Sequence, residues 1–307
     1  MARDFDPNCL YARLLSRRRM FEWGLGVGAL ASLGCRDRAS ARERSGPPRR
    51  IASRTVLADE VLWALGPEVQ GRVVALSTLA DDPRYSMVAD KWPATTPRLG
   101  TDPEQLLALA PDLVIVASFT APEYRAAIED KIELLVLEDF SGFAGYLDNL
   151  AQIGEAIGER EGTTRLRERF VARQRELEAA RPPEGERPTV VGWDYGHMPA
   201  AETSFDDAAR CAGFVNLPAR EGMSGHPRVD AEQVLAWNPA WIVVSCGEGS
   251  CAEAVARLGA QPGFSSLEAV ARGQVIAIEP PYLAAVGEGM LELAARMQAA
   301  LLARRQP

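Results

Sequence analysis

Six short groups hold most of the side chains of this 307-residue chain that could do chemistry: Ser53-Arg54-Thr55, Asp82-Pro83, Ser118-Phe119-Thr120, Trp193-Asp194-Tyr195-Gly196-His197, Cys246-Gly247-Glu248 and Pro281-Tyr282. Each stands just past the carboxyl end of a run that reads as a β-strand. In α/β proteins ligands sit there. Phe119, Trp193, Tyr195 and Tyr282 offer faces on which large flat or greasy molecules pack. Arg54 can grip an anion through two parallel N–H bonds. With Ser53, Thr55, Asp82, Ser118, Thr120, Asp194 and Glu248 they form the candidate ligand-binding set. This is the chemistry of capture.

The chemistry of turnover is missing. No GxGxxG opens a helix, no GxxxxGK[ST] occurs, and no Ser sits in GxSxG. Gly24-Leu25-Gly26-Val27-Gly28 falls in a leader-like segment. The acid pairs Asp81-Asp82 and Asp206-Asp207 border helices and need no catalytic role. A bare zinc or manganese site needs clustered His and carboxylates, and the chain has only His197 and His226. His197 reads as a surface loop residue rather than a metal ligand.

The elements that must position these groups announce themselves by repetition. Asp102–Ser118 (DPEQLLALAPDLVIVAS) and Asp230–Cys246 (DAEQVLAWNPAWIVVSC) are identical at seven of seventeen positions. In each copy an Asp caps a short helix and a Pro stops it. Then comes an apolar run rich in β-branched residues, the pattern of a strand buried on both faces. Further runs at 72–76, 133–137, 189–193 and 274–278, alternating with helical stretches, predict an α/β fold. The expected plan is two Rossmann-like lobes with parallel sheets, joined by one long α-helix, with a ligand cleft between them. The N-terminal lobe is expected at 51–160, a connecting backbone helix at 161–186 and the C-terminal lobe at 187–307. A helical hinge should permit only a small rotation on binding.

Charge divides the chain unevenly. Residues 1–50 carry +6 and the remainder −14, so the acidic body should repel nucleic acid. Arg18-Arg19-Met20-Phe21, followed by an uncharged stretch of twelve residues from Trp23 to Gly34, has the form of an export signal resembling the twin-arginine type, over 1–35. The stretch falls well short of the roughly 20 residues that span a bilayer. Leu30-Ala31-Ser32-Leu33-Gly34-Cys35 resembles a lipoprotein cleavage site, with Cys35 as the lipidated residue. Ser32 and Leu33 depart from the usual pattern. Residues 36–50 read as a flexible tether. Cys246 and Cys251 are candidates for a disulfide; two free thiols, or Cys211 paired with one of them, are the alternatives.

Several stretches together resemble one known family. They are Arg50-Ile51-Ala52-Ser53, Asp81-Asp82-Pro83, Pro97-Arg98-Leu99-Gly100, Glu104 with Leu109-Ala110-Pro111-Asp112-Leu113-Val114, Phe205-Asp206-Asp207 with Ala212-Gly213-Phe214-Val215-Asn216, and Glu232 with Trp237-Asn238-Pro239. In order and spacing the chain resembles the helical-backbone class of ABC-transporter substrate-binding proteins, receptors for ferric siderophores, haem and vitamin B12. The resemblance implies an exported, monomeric binding protein, periplasmic or lipid-anchored, with no cofactor of its own. Its ligand would be a metal chelate: a ferric siderophore, haem or cobalamin. Its partner would be a membrane permease, docked through one Glu per lobe, Glu104 and Glu232. A stand-alone exported binding module and an α/β enzyme are the competing readings.

Overall fold

A computed structural model describes residues 46–304 except 194, 195 and 248. The expected export signal, Cys35, Asp194, Tyr195 and Glu248 lie outside the described residues. Residues 47–304 form one compact unit. Among the described residues nine strands build two sheets, with every pairing between them parallel.

The first sheet contains β1 (Ile51–Ser53), β2 (Val73–Ser77), β3 (Arg98–Leu99), β4 (Leu113–Ala117) and β5 (Glu133–Leu137), in the order β3-β2-β1-β4-β5. The second contains β6 (Thr189–Trp193), β7 (Val215–Asn216), β8 (Trp241–Ser245) and β9 (Val275–Ile278), in the order β7-β6-β8-β9. The repeated sequence accounts for β4 and β8. Each pairs with the first strand of its sheet, β4 with β1 and β8 with β6. All five residues of β4 are buried, as are the first four of β8, because helices cover both faces of such a sheet.

Two long helices in tandem connect the sheets, where the sequence suggested one. Phe143–Ile157 ends in a left-handed Gly158 at φ 75°, and Arg160–Ala179 follows. Its 20 residues span roughly 30 Å at 1.5 Å each. The connecting segment expected over 161–186 is therefore helical only to Ala179, with a short 3₁₀ turn at Glu184–Glu186. The two helices approach so closely that a Cβ on Gly154 would overlap Thr163. The tether also ends earlier than residue 50. Pro48 is buried, and the backbone N–H groups of Arg49 and Arg50 donate to Asp112 at 2.9 and 3.0 Å.

One hydrophobic core runs through both halves. It links Leu57, Leu62 and Leu113 through Tyr146, Phe143 and Phe170 to Phe205, Phe214 and Trp241. The C-terminal helix Gly289–Ala303 is part of it, and Gln298 donates to the Leu177 carbonyl of the connecting helix at 2.7 Å. A hinge built into a continuous core is stiff.

Candidate functional site

In each sheet the chain leaves the first strand in one direction and later crosses to the other side. The switch point lies between β1 and β4 in the first sheet and between β6 and β8 in the second. Crevices open beyond the carboxyl ends of the strands at such points. The two carboxyl edges face each other. Phe143, just after β5, donates its N–H to Asp207 on the helix that follows β6, at 2.8 Å. On the other flank Met87, after β2, abuts Gly289, after β9; a Cβ on Gly289 would lie 3.4 Å from Met87 Cγ.

Arg54 leaves β1 at the first switch point. Its guanidinium carbon lies 3.7 Å from the centroid of the Tyr124 ring, and Nη1 donates to the Gly100 carbonyl at 2.6 Å. A guanidinium carries five N–H donors. The ring and the carbonyl fix its plane and leave donors for an anion. Across the switch point, Phe119 is 39% exposed and rests on Phe140, centroids 5.1 Å apart. Phe140 is in turn packed on the main core, so the exposed ring has a rigid base. Ser118 ties β4 to β5 instead of reaching outward: its N–H donates to Leu137 O at 2.8 Å and its hydroxyl to Glu138 O at 3.3 Å. Thr120 closes the turn with its N–H on Ala117 O at 2.9 Å.

Two other candidates already have partners. Arg84 holds Asp82 through Nη2 at 2.7 Å, and this hydrogen bond keeps the carboxyl below its ordinary range. Tyr282 is half-buried under Arg296, whose guanidinium carbon lies 4.2 Å from the ring centroid.

Three candidates lie inside the fold. Ser53 is fully buried, donates to the Thr55 carbonyl at 3.1 Å and also bonds Asp59. Thr55 is buried as well. Trp193 is 6% exposed and packs on Phe264 at 5.2 Å, among Val191, Met198 and Leu217. Ser53 and Trp193 end strands whose two faces are covered, and Thr55 is the N-cap of the helix Val56–Ala64, so all three side chains lie in the interior.

Cys246 and Cys251 are joined in a disulfide, with Cα atoms 4.4 Å apart. Cys211 is free and buried, and burial pushes its thiol up to about 12. Glu104 and Glu232 are both exposed, each in the first turn of the helix that feeds the strand across its switch point. Asp102 caps the first helix by accepting the Glu104 N–H at 2.9 Å, and Asp230 caps the second by accepting the Gln233 N–H at 2.8 Å. A helix feeding a parallel strand begins at the carboxyl edge of its sheet. Both acids therefore stand on the side where the cleft opens.

Sequence reasoning missed Tyr124, Gly100 and Phe140. Nothing local marks Tyr124, in a helix 70 residues beyond Arg54, as the plate beneath that arginine. It also missed two acids on the helix Val56–Ala64, Asp59 fully buried and Glu60 half-buried. Burial lifts Asp59 to about 6 against the pull of its bonds to Ser53 and Ser77. Burial likewise lifts Glu60 to about 7. A separate concavity of about 490 Å³ is lined by Glu155, Gly158, Glu159, Arg160 and Glu161. Arg72, just before β2, reaches Ile157 O and Glu159 there. That places it at the amino edge of the sheet, the wrong end for a switch-point ligand. Among the described residues no group of three or more His, Cys, Asp or Glu could hold a metal ion.

Comparison with known proteins agrees with this architecture. Residues 51–282 match the family described as periplasmic binding protein. The Fe(3+) dicitrate-binding periplasmic protein FecB of Escherichia coli (strain K12) is 27% identical over 158 residues, 50% of this chain and 52% of that protein. The match thus spans about half the length of this curated relative. The periplasmic haem-binding protein HutB of Vibrio cholerae superposes with a TM-score of 0.70 at 22% identity, covering 82% of this chain and 98% of that one. The periplasmic vitamin B12-binding protein BtuF of Vibrio cholerae gives 0.65 at 20%, covering 85% and 99%. At these identities the two structures speak to the fold alone. The family and these relatives are all described as binding proteins.

Proposed function

Because this chain belongs to the periplasmic binding protein family, we propose that it is the extracytoplasmic receptor of an ABC importer and captures a metal chelate bearing an anionic group. The observation that carries the reading is Arg54, held between the Tyr124 ring and the Gly100 carbonyl at the first switch point. A guanidinium fixed in this way binds a carboxylate or catecholate oxygen pair with little ordering loss. Phe119 adds an exposed apolar face for the body of the chelate. Among the ligand classes of the resemblance, anionic ferric siderophores and haem with its propionates fit this pair. The dicitrate ligand of the FecB relative is consistent with the choice.

The permease would engage Glu104 and Glu232. The basic leader over 1–35 would direct export, with Cys35 as the site of a lipid anchor. The test is titration of the protein lacking its leader with ferric citrate, haemin, a ferric catecholate and cobalamin, followed by visible absorbance and calorimetry. Saturable binding of an anionic chelate, weakened about tenfold or more by Arg54→Ala through loss of a charge-assisted bond, is expected. Binding of cobalamin alone, or none across the panel, would overturn the anionic-chelate reading.

A further inference from the structure

Four large hydrophobic residues are exposed among the described ones: Leu79, Phe119, Val255 and Leu302. Single exposed apolar residues are ordinary. Leu79 and Phe119, however, are a matched pair. β1 pairs with β2 on one side and with β4 on the other. Just past β2 the Ala80 N–H donates to Ser77 O at 3.2 Å, and just past β4 the Thr120 N–H donates to Ala117 O at 2.9 Å. Each bond closes a four-residue turn, and in each the third residue is the exposed one: Leu79, 41% exposed, and Phe119. Turns favour Gly, Pro, Asn, Asp and Ser, so neither side chain is there to make the turn. The two tips stand on either side of the strand from which Arg54 departs.

Both tips are held in place. The Leu79 carbonyl accepts the Asp82 N–H at 3.1 Å, and Phe119 rests on Phe140. The acids that follow Leu79 are paired with arginines, Asp81 with Arg98 at 2.6 Å and Asp82 with Arg84 at 2.7 Å. They therefore set no uncompensated charge beside this edge to repel an anion. Neighbouring strands lie about 4.8 Å apart, which puts the ends of β2 and β4 about 10 Å apart with Arg54 between them. A broad apolar ligand paired with Arg54 would cover both tips. A complex whose surface is all carboxylate and hydroxyl, such as ferric citrate, would lose hydration against them without gaining a partner.

We propose that Leu79 and Phe119 are paired specificity-determining residues around Arg54, selecting among anionic chelates those with a broad apolar body, porphyrin or aryl, over hydroxycarboxylate complexes. The choice among chelates rests on the reading of Arg54 as the anion-binding group; an apolar binding surface at the two tips does not. The test uses full-length protein, wild type and the variants Leu79→Asn, Phe119→Asn, Arg54→Ala and Leu302→Asn. Leu302 is the control: it lies in the last turn of Gly289–Ala303, beside Arg304, which donates to Gly273 O just before β9 and so marks the amino edge of that sheet. The probes are haemin, ferric citrate and anilinonaphthalene sulfonate, a fluorescent aryl anion that carries no metal. Absorbance, calorimetry and fluorescence give the affinities.

Haemin is expected to bind at least about tenfold more tightly than ferric citrate. Leu79→Asn and Phe119→Asn should each weaken haemin and the dye about fivefold, in keeping with the apolar area left to cover, and leave ferric citrate within about twofold. Leu302→Asn should alter none of the three. Ferric citrate bound as tightly as haemin overturns the proposal, as do haemin and dye affinities untouched by Leu79→Asn. If Arg54→Ala changes nothing while the tip variants still weaken haemin, the reading of Arg54 fails and the apolar pair stands. If neither chelate binds, the anionic-chelate reading fails by itself and the dye decides: weaker binding in both tip variants sustains the apolar surface, and unaltered binding removes it.

Discussion

Asp207, in the C-terminal half, caps a helix of the N-terminal half: its Oδ2 accepts the N–H of Phe143, first residue of Phe143–Ile157, at 2.8 Å. The carboxylate meets the positive end of that helix, where orphan N–H groups need acceptors. Gly142 makes room for it, since a Cβ there would lie 3.1 Å from Asp207 Cγ at a φ of 140°. The acid pair Asp206-Asp207 thus has a structural role. Asp206 accepts from Asn216 Nδ2 at 3.1 Å, and Asp207 joins the two lobes.

Asp207→Ala should lower stability by about 1–2 kcal/mol, the usual loss for a helix cap, whereas Asp207→Asn should retain most of it. Urea unfolding of both variants checks this. Equal loss in the two would mean that the charge, paired with Arg210, matters more than the capping oxygen.

Glu60 makes a further lobe–lobe contact. Its side chain is half-buried, with the carboxylate turned inward: Oε1 accepts the Met87 N–H at 2.9 Å, and Oε2 would lie 2.8 Å from a Cβ on Gly287. Asp59, Lys91, Tyr146, Glu288 and Arg169 supply the surrounding charges and ionisable groups. Burial lifts the carboxyl from 4.5 to about 7. The folded state therefore holds this proton more tightly than the unfolded one. Its contribution is full below pH 4.5, declines as pH rises, and is gone above about pH 7. Glu60→Gln should flatten this slope and stabilise the protein at pH 8 by about 2 kcal/mol, after discounting for partial exposure. Thermal melts across pH 4–8 of roughly constant ionic strength measure it; parallel profiles for variant and wild type would refute it.

One of the differences between the two copies of the repeat falls at a left-handed residue. Asn238 ends its helix at φ 44°, and Ala110, at the equivalent place, has φ 42°. Asn tolerates the left-handed region and Ala does not. Ala110→Gly should stabilise by about 0.5–1 kcal/mol by relieving this strain. A lowered urea midpoint would show that the added freedom of the unfolded chain outweighs the relief.

Glu104 and Glu232 face solvent on the cleft side of their sheets. Each is expected to contribute little to folding, since surface substitutions change stability by about 0.5 kcal/mol or less. The pair Glu104→Ala/Glu232→Ala should leave chelate affinity intact and abolish uptake in a strain whose own receptor is deleted. Normal uptake by a folded double variant would sink docking through these two acids.

The sequence by itself determined the local elements. The capping aspartates, the stopping prolines and the β-branched runs depend on neighbours within a turn or a strand, so β4, β8 and their helices were legible, as was the α/β class. The two-residue strands β3 and β7 were not, because their hydrogen bonds come from β2 and β6 and leave no period of their own. Tertiary structure decided the site. Strand order fixed which carboxyl ends flank a switch point. Packing sent Trp193 to the core and left Phe119 at the surface, although both are aromatic residues at strand ends. Arg54 on Tyr124, Asp207 on Phe143 and Glu60 against Gly287 join residues far apart in the chain. Such contacts depend on where the folded backbone brings side chains together, and residue type and spacing carry no record of that.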